Sequence, residues 1–130
     1  MSPGKLAVDR RTILGLWMVA ILMVIIGSLA PADTKLMKLV DDLNISDKLQ
    51  HFGAYVILAV LPVLGRRRIS QGCYLGASMA VLGVGLELAQ SFSPGRTPDV
   101  YDAIADFGGV LTGLGLGWAS RNYLNLKATS

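Results

Sequence analysis

Polar side chains recur at helical spacing in separate stretches of this chain, and their types are those that bind ligands or transfer protons. Asp47, His51 and Tyr55 lie at i, i+4 and i+8, so on a helix they form one stripe. Glu87 and Gln90 are three residues apart and share a helical face. The rest of the candidate ligand-binding set comes from a third stretch, the turn before it and the residue that follows Asp47: Asp99, Asp102, Asp106, Arg96 and Lys48.

The candidate set contains more acids than bases. Five carboxylates against Lys48 and Arg96 leave a net charge of −3 when His51 is neutral. When like charges gather in a partly dry site, either the pKa values of some carboxyl groups rise, or the site binds a metal ion or a cationic ligand. Carboxylate oxygens suit Mg²⁺ or Ca²⁺, so a divalent cation is a candidate cofactor. A single histidine and a single cysteine exclude multi-histidine and cysteine-based metal sites.

The elements that position these residues are predicted to be membrane helices. Hydrophobic residues make up 52% of the chain and charged residues 16%, and the mean hydropathy is +0.52. Soluble domains carry about 25% charged residues, and about 20 helical residues cross a bilayer. We therefore predict an all-α, polytopic single domain over residues 1–130. Its four transmembrane helices are predicted at 12–30, 46–65, 69–92 and 98–123.

The predicted ends of these helices rest on local signals. Ser46 is a good N-cap for the second helix, and Thr97 followed by Pro98 suits the start of the fourth. Pro62 predicts a kink near the end of the second helix. The charged stretch of Lys35, Lys38, Asp41 and Asp42 is predicted to be a solvated loop.

The first segment has two interpretations. Arg10 and Arg11 precede an uncharged run from Ile13 to Ala30, and the small residues at its end resemble a signal-peptide cleavage site. The run is longer than the 7–15 residues of a usual signal core, which favours a retained anchor helix. A cleaved signal peptide is the alternative.

The distribution of basic residues predicts the orientation. Eight of the twelve would lie at one membrane face, with Asp9 as the only acid there: Lys5, Arg10, Arg11, Arg66, Arg67, Arg68, Arg121 and Lys127. By the positive-inside rule both termini face the cytoplasm, and the candidate set faces outward. We interpret the triplet Arg66–Arg68 as an orientation signal that contacts anionic lipid heads rather than nucleic acid.

Small residues predict how the helices pack. They recur every four residues in the third and fourth segments: Gly72, Gly76 and Ala80, and Ala105, Gly109, Gly113 and Gly117. Such stripes let helices approach closely in lipid. We predict that these two helices pack against each other, and the same faces offer a surface for a homo-oligomer. Trp17 and Trp118 are predicted to be ordinary lipid or core contacts.

The motif spacing resembles the VanZ-like membrane family over residues 46–117. The residues that carry the resemblance are Asp47-Lys48-Leu49-x-His51-Phe52-x-x-Tyr55, then Glu87-x-x-Gln90-x-Phe92-x-Pro94-Gly95-Arg96-x-x-Asp99-x-x-Asp102, then Ala105 and Gly109. The namesake is an accessory protein of bacterial teicoplanin resistance. The resemblance therefore implies a multi-pass protein of the bacterial inner membrane, with no firmly assigned reaction. At the position of Asp106 the family usually has asparagine. The additional carboxylate of Asp106 favours the binding of a cation or a proton over that of a bare phosphate.

Several functions fit these observations. The first is a cell-envelope protein whose outer polar pocket binds a membrane lipid, a lipid-linked wall precursor or a glycopeptide antibiotic. In it, Arg96 and Lys48 hold an anionic group and the carboxylates bind an amine or a cation. The second is an intramembrane enzyme acting on a lipid-linked substrate, with Asp102 or Glu87 as base and His51 as acid or base. In it, Asp99 and Asp106 are metal ligands. An ion path and a purely structural helper remain as further alternatives.

Each candidate residue also has a structural interpretation. Asp47 and Asp99 stand where a helix dipole favours carboxylates. His51 would then bond Tyr55 or a backbone carbonyl, and Arg96 would pair with a neighbouring aspartate. No phosphate-binding loop, nucleophile elbow or zinc-helix motif is present in the sequence, so no catalytic residue is assigned.

Overall fold

Five helices make up most of the described chain. The computed structural model describes residues 9–30, 35–42, 46–92 and 99–124, and this part contains no strand. The helices are α1 (Arg10–Leu29), α2 (Lys35–Asp42), α3 (Asp47–Gly65), α4 (Ile69–Gln90) and α5 (Val100–Leu124). The all-helical prediction is confirmed for these residues, and α1, α3, α4 and α5 correspond to the four predicted long helices.

Side-chain caps fix two of the helix starts. The Asp9 carboxylate accepts a hydrogen bond from the backbone N–H of Arg11, and the Ser46 hydroxyl accepts one from the N–H of Leu49. The predicted N-cap at Ser46 is therefore confirmed. The predicted start at Thr97 and Pro98 lies outside the described residues.

The prediction of a loop at residues 35–42 is wrong, because this stretch is the helix α2. The apolar residues at 36, 37, 39 and 40 fall on one side of a helical wheel, a periodicity that the charges of the stretch conceal. Lys35, Lys38 and Asp42 are exposed, as expected for solvated charges.

Helix α3 lies at the centre of the bundle and packs against α1, α4 and α5. Its side chains Tyr55, Leu58 and Ala59 are at most 2% exposed, and they form the core with Met79 of α4 and Val110 of α5. Helix α1 adds partly buried side chains to the same core: Trp17, Ala20, Ile21 and Val24. Helix α1 is therefore an integral part of the packing, as the anchor-helix interpretation requires.

Helices α4 and α5 contact each other, as predicted, but glycines of both stripes also pack against α3, which was not predicted. A Cβ added to Gly113 of α5 would lie 2.5 Å from the carbonyl oxygen of Val56. One added to Gly76 of α4 would lie 2.8 Å from that of Ala59. Both backbones approach α3 so closely because these glycines have no side chain, and α4 and α5 also contact each other.

Arg121 of α5 closes the end of α3. It is 2% exposed, and its guanidinium donates to the carbonyl oxygens of Val63, at 2.6 Å, Arg66 and Arg67. The last carbonyls of a helix lack intrahelical donors. Arg121 supplies them and thereby joins the C-terminal part of α5 to the end of α3.

Three helices are long and apolar enough to cross a membrane: α1, α3 from Lys48, and α4. Helix α5 is the longest, with 25 residues, but is not among them. Its five glycines together with Asp102 and Asp106 lower its hydropathy. The fourth predicted span therefore stays a prediction.

Candidate functional site

The ends of three helices meet at one end of the bundle and bring the candidate residues together. The first turns of α3 carry Lys48 and His51, and the last turn of α4 carries Glu87. Asp99 directly precedes α5, and Asp102 and Asp106 lie in its first two turns. Because α3 and α5 run in opposite directions to α4, residues 12 to 55 positions apart in sequence become neighbours.

Lys48 joins α3 to the start of α5. Its Nζ donates to Asp99 Oδ2 at 2.7 Å and also to Asp102 Oδ1. The Lys48 hydrogen bond, followed by one from the backbone N–H of Tyr101, holds the pKa of Asp99 below its usual value. Asp99 thus caps α5, as its structural interpretation proposed, and also binds Lys48.

His51 lies one helical turn further into the bundle than Lys48, between two carboxylates. Its Nδ1 is 2.7 Å from Asp106 Oδ1, and its Nε2 is 3.6 Å from Asp102 Oδ2. The Nδ1 contact fixes the ring orientation, and the Nε2 contact is an ion pair only when the ring is protonated. This bond to a carboxylate differs from the expected alternatives, Tyr55 or a backbone carbonyl.

Glu87 connects α4 with α5. Its Oε1 accepts a hydrogen bond of 2.5 Å from the backbone N–H of Asp99. A carboxylate is favoured there because the N-terminus of a helix carries partial positive charge. The described contact of Glu87 is therefore a cap supplied by a neighbouring helix, and it orders the rim on which Asp99 lies.

We call Lys48, His51, Asp99, Asp102 and Asp106 the polar cluster. Tyr55 and Asp106 form the buried base of this cluster, at 2% and 3% exposure. A Cβ added to Gly83 of α4 would lie 3.2 Å from both Asp106 Oδ2 and Tyr55 Cε1. Gly83 therefore makes room for the carboxylate and the ring. Gly83 was not predicted to belong to the site, although its spacing of seven residues from Gly76 was a usable signal.

Gln90 contacts α1 instead of the other described candidate residues. Its side chain is buried, and Nε2 donates to the carbonyl oxygen of Ser28 at 3.0 Å, in the last turn of α1. This bond accounts for a buried amide through helix packing. The remaining candidates, Arg96 and the Asp47 side chain, lie outside the described residues.

The cluster has an exposed rim and a buried base. The Lys48 and Asp99 side chains are 43% and 38% exposed, whereas that of Asp102 is 8% exposed. In the described parts of the chain, no group of three or more His, Cys, Asp or Glu side chains is arranged to hold a metal ion. The Lys48 ammonium lies between Asp99 and Asp102, where a cation bridging these two carboxylates would have to bind.

Comparison of the chain with protein-family models, curated proteins and solved structures gave no match. The resemblance to the VanZ-like family therefore stays a prediction from the motif residues.

Proposed function

We propose that this chain is a multi-pass protein of the bacterial inner membrane and that its polar cluster binds a cell-envelope ligand on the outer side. The proposal treats α5 as a fourth span and places both termini in the cytoplasm. It is supported by three apolar helices of spanning length. The exposed residues Arg67 and Arg68, at the end opposite to the cluster, fit the positive-inside rule.

The observation that carries the proposal is the convergence of Lys48, His51, Asp99, Asp102 and Asp106 at one end of the bundle. Charged groups at membrane depth are costly, and they typically mark a functional site. Their partly exposed rim gives a ligand access to the buried carboxylates.

The carboxylates of the site outnumber its cations, because Asp106 joins Asp99 and Asp102 against Lys48, and this excess favours an amine or a hydroxyl as the group that is bound. Lys48 already donates to Asp99 and Asp102, so an anionic ligand would have to compete with both carboxylates for it. Amines occur in lipid head groups, in wall-precursor peptides and in glycopeptide antibiotics. With the motif resemblance, this chemistry supports a role accessory to teicoplanin resistance.

A susceptibility assay tests this function. The chain is expressed in a teicoplanin-sensitive bacterium, and the inhibitory concentration is compared with that of an empty vector. We expect wild type to raise it and Asp102→Asn to abolish the increase at equal membrane abundance. Asp42→Asn, which neutralises an exposed acid on α2, is the matched control and should behave as wild type. An unchanged response with Asp102→Asn would contradict the proposal.

The His51–Asp106 pair favours one alternative, an enzyme acting on a lipid-linked substrate. A carboxylate 2.7 Å from Nδ1 orients the imidazole for proton transfer through Nε2. Purified protein should then turn over a lipid-linked wall precursor, and His51→Ala should lose that turnover while remaining folded. Equal turnover by wild type and His51→Ala would remove this alternative.

A further inference from the structure

A groove opens on the surface at the end of the bundle opposite to the polar cluster, where α3 passes into α4. Its volume is about 330 Å³, and it is lined by Arg66, Ser70, Gln71, Tyr74 and Leu75. The lining thus combines one cation, a hydroxyl and an amide with an aromatic ring and a leucine. None of these side chains belongs to the cluster described above.

The polar side of the groove is built to attract an anion. Arg66 Nη2 donates to Gln71 Oε1 at 3.0 Å, which holds the guanidinium against the first turn of α4. The Arg66 Nε is buried and has no hydrogen-bond acceptor within the described ranges. Arg67 and Arg68, which follow directly, are exposed and add two positive charges. The terminal N–H groups of a guanidinium that lines a groove are well suited to a phosphate oxygen.

The helix that borders the groove adds to this attraction. Helix α4 begins at Ile69, and the residue at its N-cap, Arg68, makes no side-chain cap hydrogen bond. The first backbone N–H groups of a helix point toward its N-terminus and favour a bound anion. The Ser70 hydroxyl lies in the same turn and is exposed.

The apolar side of the groove continues along α4. Tyr74 is 76% exposed, and Val81 and Leu88, seven and fourteen residues further on, are exposed on the same helical face. A ligand with a phosphate in the groove could therefore lay a hydrocarbon chain along α4. A free phosphate would make no use of this face, so the surface favours a lipid.

We propose that the Arg66 groove binds the phosphate head group of an anionic phospholipid, with an acyl chain lying against the Tyr74 face of α4. The site requires membrane insertion but not the polar cluster at the opposite end. Phosphatidylglycerol is the probe of choice because it combines a phosphate with a net negative charge, whereas phosphatidylcholine has the same phosphate and no net charge.

Native mass spectrometry of the detergent-purified full chain tests this site. We expect phosphatidylglycerol to be retained preferentially over phosphatidylcholine, and Arg66→Ala to lower its affinity about tenfold, as expected for the loss of charge-assisted hydrogen bonds. Arg66→Lys keeps the positive charge but loses the planar set of N–H donors, so its affinity should lie between those of wild type and Arg66→Ala. Arg11→Ala, at an exposed arginine of the same bundle end, should leave the affinity within about twofold of wild type.

Two further arms distinguish the alternatives. Asp102→Asn should bind phosphatidylglycerol as wild type does, which separates this site from the proposed envelope function. Millimolar inorganic phosphate should not displace the lipid; displacement would indicate a site for soluble phosphate and overturn the lipid assignment. Equal retention of both lipids, or an equal affinity in Arg66→Ala, would also overturn the proposal.

Discussion

The indole Nε1–H of Trp17 donates a hydrogen bond to the backbone carbonyl oxygen of Leu58, 2.9 Å away, and thereby ties α1 to the middle of α3. In a regular helix this carbonyl accepts from the residue four positions further on. That residue is Pro62, which has no N–H. Trp17 therefore supplies the donor that the proline removes.

Replacing Trp17 by phenylalanine should reveal this compensation. Trp17→Phe keeps an aromatic ring and leaves a carbonyl without its donor, so it should lower the free energy of unfolding by about 1–3 kcal/mol. In a Pro62→Ala background the backbone N–H of residue 62 can bond Leu58, and Trp17→Phe should cost less. Denaturant unfolding in detergent, arranged as a double-mutant cycle, measures the difference.

Trp118, which is 57% exposed on α5, provides the control for this cycle. Trp118→Phe should cost little in either background. An equal cost of Trp17→Phe with and without Pro62 would show that the proline has no part in the contact.

Arg121 is expected to be among the most sensitive positions of the bundle. Arg121→Gln removes a buried guanidinium that donates to three carbonyl oxygens at the end of α3, and should lower the free energy of unfolding by about 3 kcal/mol. Arg121→Lys should restore only part of this, because an ammonium lacks the planar fork. Arg11→Gln, at an exposed site, should stay within about 0.5 kcal/mol of wild type. A neutral Arg121→Gln would contradict the capping role.

Two glycines of α5 that lie two residues apart should respond in opposite directions to alanine. A Cβ on Gly113 would lie 2.5 Å from the Val56 carbonyl oxygen, so Gly113→Ala forces α5 away from α3 and should cost about 1–3 kcal/mol. Gly115 has nothing within 4 Å of its added Cβ. Gly115→Ala should raise stability by up to about 1 kcal/mol through helix propensity. Thermal unfolding in detergent compares the two variants, and equal effects would refute the close α3–α5 contact.

The sequence was sufficient to predict the long helices because their apolar length and their caps are local signals. Ser46 is the clearest case, since it begins α3 as predicted. The packing partners could not be predicted in the same way. A stripe of small residues shows that some helix comes close, but Gly76 and Gly113 do not encode that the neighbour of both is α3.

The candidate site was predictable in its members more than in its pairings. Helical spacing placed His51 and Asp106 on polar faces, and their chemistry required that the faces meet. The choice of Asp106 over Tyr55 as the partner of His51 depends on helix rotation and depth, which spacing within one helix does not contain. Gln90 shares a helical face with Glu87, yet the spacing of the two residues does not indicate that Gln90 bonds α1.

The Asp99–Lys48 pair should give the folded chain a defined dependence on pH. The pKa of Asp99 lies below the usual value of about 3.9, because Lys48 and the N–H of Tyr101 stabilise its ionised form. Its contribution is therefore complete above the usual value and is lost as the pH falls through the lowered one. We expect Asp99→Asn to lower the melting temperature by a constant amount from about pH 7 to pH 5. Below about pH 4 this difference should shrink. Asp42→Asn, at an exposed acid of α2 on the same end, should show no comparable change, and a difference for Asp99→Asn that persists unchanged in strong acid would contradict the ion pair.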